Sequence, residues 1–436
     1  MPNEQVPLAA LLGQGPARSA RSRRPWFLAV AAVAVITAIS TVVVLSDRGQ
    51  ARDLAPVAAP SPTSPVATTA AGETPSPSPT ERRSPTKAKL TIDREFIAAG
   101  PKPSLPWPSS GQAKVEIAGV GVLGRSGSSR PVPIASITKV MTAYTILRDH
   151  PLSAGRSGPT ITVTDAEAAA YPEQKARGES VVAVAAGEKL TEREALQGLL
   201  IASAGNIAEI LARWDAGSEA AFVRRMNSNA QRLGMSSTHY ADASGLSAGS
   251  VSTVSDLLKL APAAMAQPTL AELVGTSSAD IPLNEQIKNP NSLLGLHGVI
   301  GIKTGTTTAA GGCLLFAAHR RVDGHTMTIY GAVLGISGSR STIHSNARDA
   351  GDALVVGAGD QLHRIALIRT GQTVATLVDR KGVPVRLTVA KGVSVTGWSG
   401  QKFRFALPTT RSTGRAPTKL TVYTPTKTFT VRLVKQ

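Results

Sequence analysis

Apolar positions along the chain fall into distinct regimes. A charge-free run at 26–45 is long enough to cross about 30 Å of hydrocarbon as a helix, and Arg18, Arg21, Arg23 and Arg24 stand just before it. From 46 to 111, Pro, Ser and Thr dominate, as in Pro75-Ser76-Pro77-Ser78-Pro79. Such a stretch buries too little apolar surface to fold and reads as a semi-extended linker. From 112 the pattern becomes regular. Alternating runs predict strands at 113–117 and 120–124. Apolar residues at helical spacing predict helices over 134–147, 192–201, 207–214, 220–233 and 255–265. Strand-like runs return at 299–303, 312–318 and 327–336, followed by a helix over 341–355. Strands at both ends with helices between them predict an α+β domain over 112–359, an antiparallel sheet flanked by helices. Over 360–436, short alternating runs at 385–389, 403–407, 420–423 and 428–433 predict a small all-β appendage.

The arginines before the apolar run set its expected orientation. By the positive-inside rule, residues 1–25 form a basic cytoplasmic tail and 26–45 a single-pass transmembrane anchor. Everything downstream is then extracytoplasmic, at the cell membrane. A cleaved signal peptide would have a shorter apolar region and a small-x-small site, and no convincing site precedes Asp47.

Composition narrows the chemistry. Aromatics make up only 4% of the 436 residues, so Ala, Val, Leu and Ile must fill the cores. The single cysteine, Cys313, excludes a disulfide framework and any multi-cysteine metal site. Its apolar surroundings, Gly312 to Phe316, predict a buried small hydrophobe. The seven histidines show no metal-ligand spacing, so neither metal nor cofactor is expected. His239, His297 and His344 read as structural. The glycines Gly119, Gly121 and Gly124 spell the dinucleotide fingerprint, but no helix follows them, and they read as a hairpin. Net charge is +18, and residues 360–436 alone carry 14 Lys and Arg against 2 Asp. An exported basic segment meets anionic wall polymers or lipid headgroups rather than nucleic acid.

Two constellations carry reactive chemistry. Ser136 and Lys139 are three residues apart at the start of a predicted helix and therefore share a face. A serine hydroxyl needs a base to become nucleophilic, and a desolvated lysine can serve. Lys303-Thr304-Gly305, followed by Thr306, ends a predicted strand. There Lys303 and Thr304 can hold a carboxylate, and Gly305 permits close approach of a substrate backbone. The N–H groups of Ser136 and Thr306 can form an oxyanion hole. Between these segments, Ser203 lies on a loop joining two helices, where its hydroxyl can relay a proton. The linker holds a chance copy of the first motif, Ser84-Pro85-Thr86-Lys87, with no fold around it.

These segments together resemble the D-alanyl-D-alanine carboxypeptidases, the low-molecular-mass penicillin-binding proteins, with their β-lactamase-like fold. The likeness extends to Pro133, Met141, Gly187-Glu188-Lys189-Leu190-Thr191, Met226-Asn227, Leu233-Gly234-Met235 and Gly301 to Thr307, and spans about 112–350. It implies a two-step acyl transfer. Ser136 attacks the penultimate D-alanine carbonyl of a peptidoglycan stem peptide, terminal D-alanine leaves, and water releases the acyl group. It implies catalytic roles for Ser136, Lys139, Ser203 and Lys303, substrate binding by Thr304, Gly305 and Thr306, and inhibition by β-lactams.

The middle motif departs from the family. Its Ser-x-Asn pattern, aligned at Ser203, places Gly205 at the asparagine position, with Asn206 one residue later. The expectation is that Asn206 takes the asparagine's part beside Lys139. Two alternatives stay open: a weak or inactive muropeptide-binding scaffold, and a β-lactamase in which Asp280, near Leu283 and Asn284, supplies the deacylating base.

Overall fold

The computed structural model describes residues 88–379, 381–408 and 416–436. The basic tail and the apolar run at 26–45 lie outside the described residues. Among the described residues no helix is long and apolar enough to cross a membrane.

The described chain opens with two short strands, β1 (Lys89–Leu90) and β2 (Glu95–Ile97). A hairpin follows, β3 (Gln112–Ile117) and β4 (Gly121–Ser126). The helical half comprises α1 (Thr138–Asp149), α2 (Asp165–Ala176), α3 (Glu192–Leu200), α4 (Gly205–Ala216), α5 (Glu219–Arg232), α6 (Val254–Met265) and α7 (Pro268–Val274). Three long strands close the sheet, β5 (Val299–Thr307), β6 (Gly311–Val322) and β7 (His325–Ile336), before α8 (Ile343–Gln361). The chain ends in β8 (His363–Ile368), β9 (Thr373–Val378), β10 (Pro384–Val389), β11 (Val393–Gly397), β12 (Lys402–Ala406), β13 (Lys419–Tyr423) and β14 (Thr428–Lys435).

The expected α+β architecture is present. The first sheet is antiparallel in the order β5-β6-β7-β3-β4, which leaves β5 on one edge. Its strands alternate in the faces they bury. Cys313, Leu315 and Ala317 of β6 join the core shared with the helical half. Leu314, Phe316 and Ala318 face the other way, against Leu354, Val355 and Ala358 of α8.

The structure adds elements that the sequence reading lacks: helices α2 and α7, and strands β1, β2, β8, β9 and β11. Helix α2 was not expected, since it carries Pro172 and buries only Gln174. Its readable signal is the capping box, in which Thr164 accepts from the Glu167 N–H while Glu167 accepts from the Thr164 N–H. The linker expected over 46–111 also differs. Residues 89–97 add two strands to the appendage, β1 pairing with β9 and β2 with β12. Leu105 then packs in the core beneath α8.

The appendage is a β-sandwich. Its larger sheet runs β1-β9-β10-β14-β13-β12-β2, and the β8–β11 pair lies over one face. Leu387, Val389, Phe403, Phe405, Leu420 and Val422 fill the space between. Trp398 joins the core between the first sheet and α8. The Thr426 hydroxyl donates to the Gly119 carbonyl at 2.7 Å, so the appendage grips the β3–β4 turn.

Candidate active site

The nucleophile segment departs from the expected continuous helix. Ser136 lies in a short 3-10 turn, Ala135–Ile137, and α1 starts only at Thr138. Ala135 has φ 47°, a left-handed conformation rare for a residue with a β-carbon, so the turn is strained at the residue before the serine. The next turn of chain brings Lys139 back to it. The Lys139 ammonium donates to Ser136 Oγ at 3.0 Å and to the Ser244 carbonyl at 2.6 Å.

The second lysine arrives on the sheet edge. Lys303, Thr304 and Gly305 lie on β5, where Lys303 is 1% and Lys139 2% exposed. A β-carbon added to Gly305 would stand 2.9 Å from the Ser136 nitrogen and 3.1 Å from the Ile134 oxygen. The third motif therefore lies flush against the nucleophile turn, and only glycine permits it. Thr304 is buried and Thr306 exposed.

Burial sets the electrostatics. Desolvation pushes Lys139 down to about 8, opposed by the charges of Asp242, Glu209 and Glu179. Desolvation pushes Lys303 down to about 7, and the charge of Lys139 pushes the same way. Burial thus brings Lys139, beside Ser136, far enough below the ordinary lysine range for a fraction of it to be neutral and proton-accepting near neutral pH.

The middle motif splits. Ser203 is buried in the α3–α4 loop, at φ 60°. The turn it opens lies against the Ser244 loop, since a β-carbon at Gly205 would meet Ser244 and Leu246 at 3.8 Å. Asn206 does not take the expected place beside Lys139. Its amide donates to the Val182 carbonyl at 2.8 Å and accepts from the Val182 N–H at 3.3 Å. Both ends are engaged, so Asn206 braces the 180s segment.

Lys139 instead has a partner that sequence reasoning missed, the Ser244 carbonyl. Its loop is held by Asp242, which accepts from the Ser244 hydroxyl at 2.7 Å and from the Gly245 and Leu246 N–H groups at 2.8 Å. A side chain on Gly245, at φ 83°, would overlap the Ala135 carbonyl, so this loop supports the strained turn from below. The readable signal is the run Asp242-x-Ser244-Gly245-Leu246, whose acid braces the loop. Asp280 is exposed, and Asn284 holds the Ala183 backbone, donating and accepting at 3.1 and 2.8 Å. Nothing in that pair points to a deacylating base. Cys313 is buried, with its thiol pushed up to about 12 by desolvation, in keeping with a packing role. Among the described residues no cluster of His, Cys, Asp or Glu could hold a metal ion.

Comparison with known proteins agrees with this geometry. The sequence profile of the D-alanyl-D-alanine carboxypeptidase family matches residues 114–336. The chain is 28% identical over 288 residues to D-alanyl-D-alanine carboxypeptidase DacF of Bacillus subtilis (strain 168), covering 64% of this chain and 70% of that protein. It is 33% identical over 209 residues to the D-alanyl-D-alanine carboxypeptidase of Streptomyces sp. (strain K15), covering 42% and 67%. The solved D-alanyl-D-alanine carboxypeptidase of Mycobacterium tuberculosis H37Rv superposes with a TM-score of 0.51 at 28% identity, over 60% of this chain and 95% of that one. The profile matches half of the chain, and the buried Ser136–Lys139 pair lies inside the matched region: the chain belongs to the D-alanyl-D-alanine carboxypeptidase family of serine peptidases.

Proposed function

We propose that this protein removes the terminal D-alanine from peptidoglycan stem peptides ending in D-Ala-D-Ala, through an acyl-enzyme on Ser136. The observation that carries this reading is the 3.0 Å contact between Ser136 Oγ and the buried Lys139 ammonium. Neutral Lys139 takes the hydroxyl proton as Ser136 Oγ bonds to the penultimate D-alanine carbonyl carbon. The N–H groups of Ser136 and Thr306 hold the developing oxyanion. Collapse breaks the C–N bond, and the proton passes to the departing amine, with Ser203 as the relay. Lys303, with Thr304, holds the carboxylate of the terminal D-alanine, whose negative charge favours the protonated form of that lysine when substrate is bound. Water then takes the place of that amine and hydrolyses the ester. β-Lactams acylate the same serine. The charge-free run at 26–45 anchors the chain in the cell membrane with these domains outside.

The test uses the full-length chain in neutral detergent. Fluorescent penicillin should label it covalently, stem pentapeptide should release D-alanine, and Ser136→Ala should abolish both. Labelling of the alanine variant at the wild-type level would refute the assignment. A second reading, a muropeptide-binding scaffold with little turnover, is favoured by one observation, the engagement of Asn206 with Val182. It predicts labelling without D-alanine release.

A further inference from the structure

We propose that the outer face of the seven-stranded sheet is a docking surface for a linear, anionic, hydroxyl-rich polysaccharide. Directly opposed residues on antiparallel strands share a face, as do residues two apart on one strand. Lys419 is opposite Arg432, Arg404 opposite Tyr423, Lys402 opposite Ile97, and Arg386 opposite Thr376, itself opposite Lys89. These registers place Lys89, Arg386, Arg432, Lys419, Arg404 and Lys402 on one side of the sheet, and all six are exposed. The other side holds the sandwich core. Five strand spacings separate β1 from β12, so the cations span about 24 Å.

Little of this charge is neutralised inside the fold. Among the described strand residues of this face the only acidic side chain is Glu95, 3.1 Å from Lys402. Cations on edge strands can block unwanted strand pairing. Arg386, Arg432 and Lys419, however, lie on interior strands. Lys419 and Arg432 stand directly opposite each other, and like charges so placed are unfavourable in an isolated sheet. An external anion relieves that repulsion.

The polar residues between the cations favour a sugar chain over a lipid surface. Thr376, Thr421, Thr428 and Thr430 offer hydroxyls on the same face, and the Arg404 guanidinium lies 4.7 Å from the centre of the Tyr423 ring. Membrane-surface elements insert large apolar side chains among their cations. Here the exposed large apolar side chains are Ile97 and Val434. The inference is independent of the catalytic reading, since no residue of this face belongs to the active site.

The test measures binding of the full-length protein, in neutral detergent, to dextran sulfate and to cell-wall sacculi with and without their anionic polymers. Vesicles of equal parts phosphatidylcholine and phosphatidylglycerol form a third arm. The variant Arg386→Gln, Arg404→Gln, Lys419→Gln, Arg432→Gln should weaken binding to dextran sulfate and intact sacculi about tenfold or more at low salt, and the difference should shrink at 1 M salt. A control with equal charge loss elsewhere, Arg364→Gln, Arg369→Gln, Lys381→Gln, Lys391→Gln, should stay within about twofold. A two-site variant, Arg404→Gln with Lys419→Gln, should fall between, and serves if the four-site variant fails to match the wild-type melting temperature. Equal losses in test and control variants would reduce the effect to net charge and overturn the proposal. So would unchanged binding, or losses confined to the vesicles.

Discussion

Asn206 holds Val182 by both ends of its amide, donating to the carbonyl at 2.8 Å and accepting from the N–H at 3.3 Å. That pairing separates a structural asparagine from the catalytic one the family pattern calls for, and it makes the two roles testable apart. Asn206→Ala should lower stability by about 1–3 kcal/mol, because buried backbone groups lose their partners. Its kcat should change less than about tenfold. A drop of about 10²–10³ in kcat with unchanged melting would instead mark Asn206 as a working donor.

Gly205→Asn tests the same motif from the other side. Position 205 begins α4, and its nearest neighbours to an added β-carbon lie at 3.6–3.8 Å, ordinary contact distances. An asparagine there should fold normally and face the Ser244 loop. D-alanine release from a stem pentapeptide is expected to rise several-fold, and a fall would show that the Ser244 carbonyl already suffices.

The two buried lysines make activity and stability depend on pH in linked ways. If Ser136 is activated by neutral Lys139, β-lactam acylation should rise with pH through a midpoint near 8 and level off above it. Both amines bind protons less well folded than unfolded, so the unfolded chain holds more protons between about 7 and the ordinary lysine range. Stability therefore increases with pH across that window. Lys303→Met should lose turnover yet melt a few degrees higher at pH 6, with the gain shrinking towards pH 10. An equal gain at both pH values would show that packing, not charge, is responsible.

Asp242→Asn should act on the same titration. The carboxylate favours the charged form of Lys139, so removing its charge moves the rise in acylation to lower pH. Asparagine keeps only one acceptor oxygen for a loop now held through several N–H and O–H donors, so melting should fall as well. A profile unmoved in pH would limit Asp242 to bracing alone.

Deleting residues 88–98 removes both edge strands of the larger appendage sheet. Phe96 packs beside Phe403, with ring centroids 6.1 Å apart, and Leu90 lies against the same core. The shortened protein should show an earlier melting transition for the appendage, while penicillin labelling at 25 °C remains. A single unshifted transition would show that the appendage core stands without them.

How legible each part was follows from how local its signal is. Ser136 and Lys139 could be read because three residues on one turn meet whatever surrounds them. Lys303 and Gly305 were readable as a motif, but their closeness to Ser136 depends on β5 forming the sheet edge beside the nucleophile turn. Asn206 misled because one residue at the head of α4 turns a side chain by about 100°, from the Ser244 side to Val182. The Ser244 carbonyl left no side-chain signature at all. Strands β1 and β2 were hidden in Pro-rich sequence, since Leu90 and Phe96 have meaning only once β9 and β12 lie beside them.

The chain's entry through the appendage has a mechanical consequence. Any pull transmitted from upstream of residue 88 first loads the ladders that hold Lys89–Leu90 and Glu95–Ile97. The reacting serine lies beyond those ladders and beyond the Gly119 contact. A pull from that side would thus meet the sandwich before it reached the Ser136–Lys139 pair.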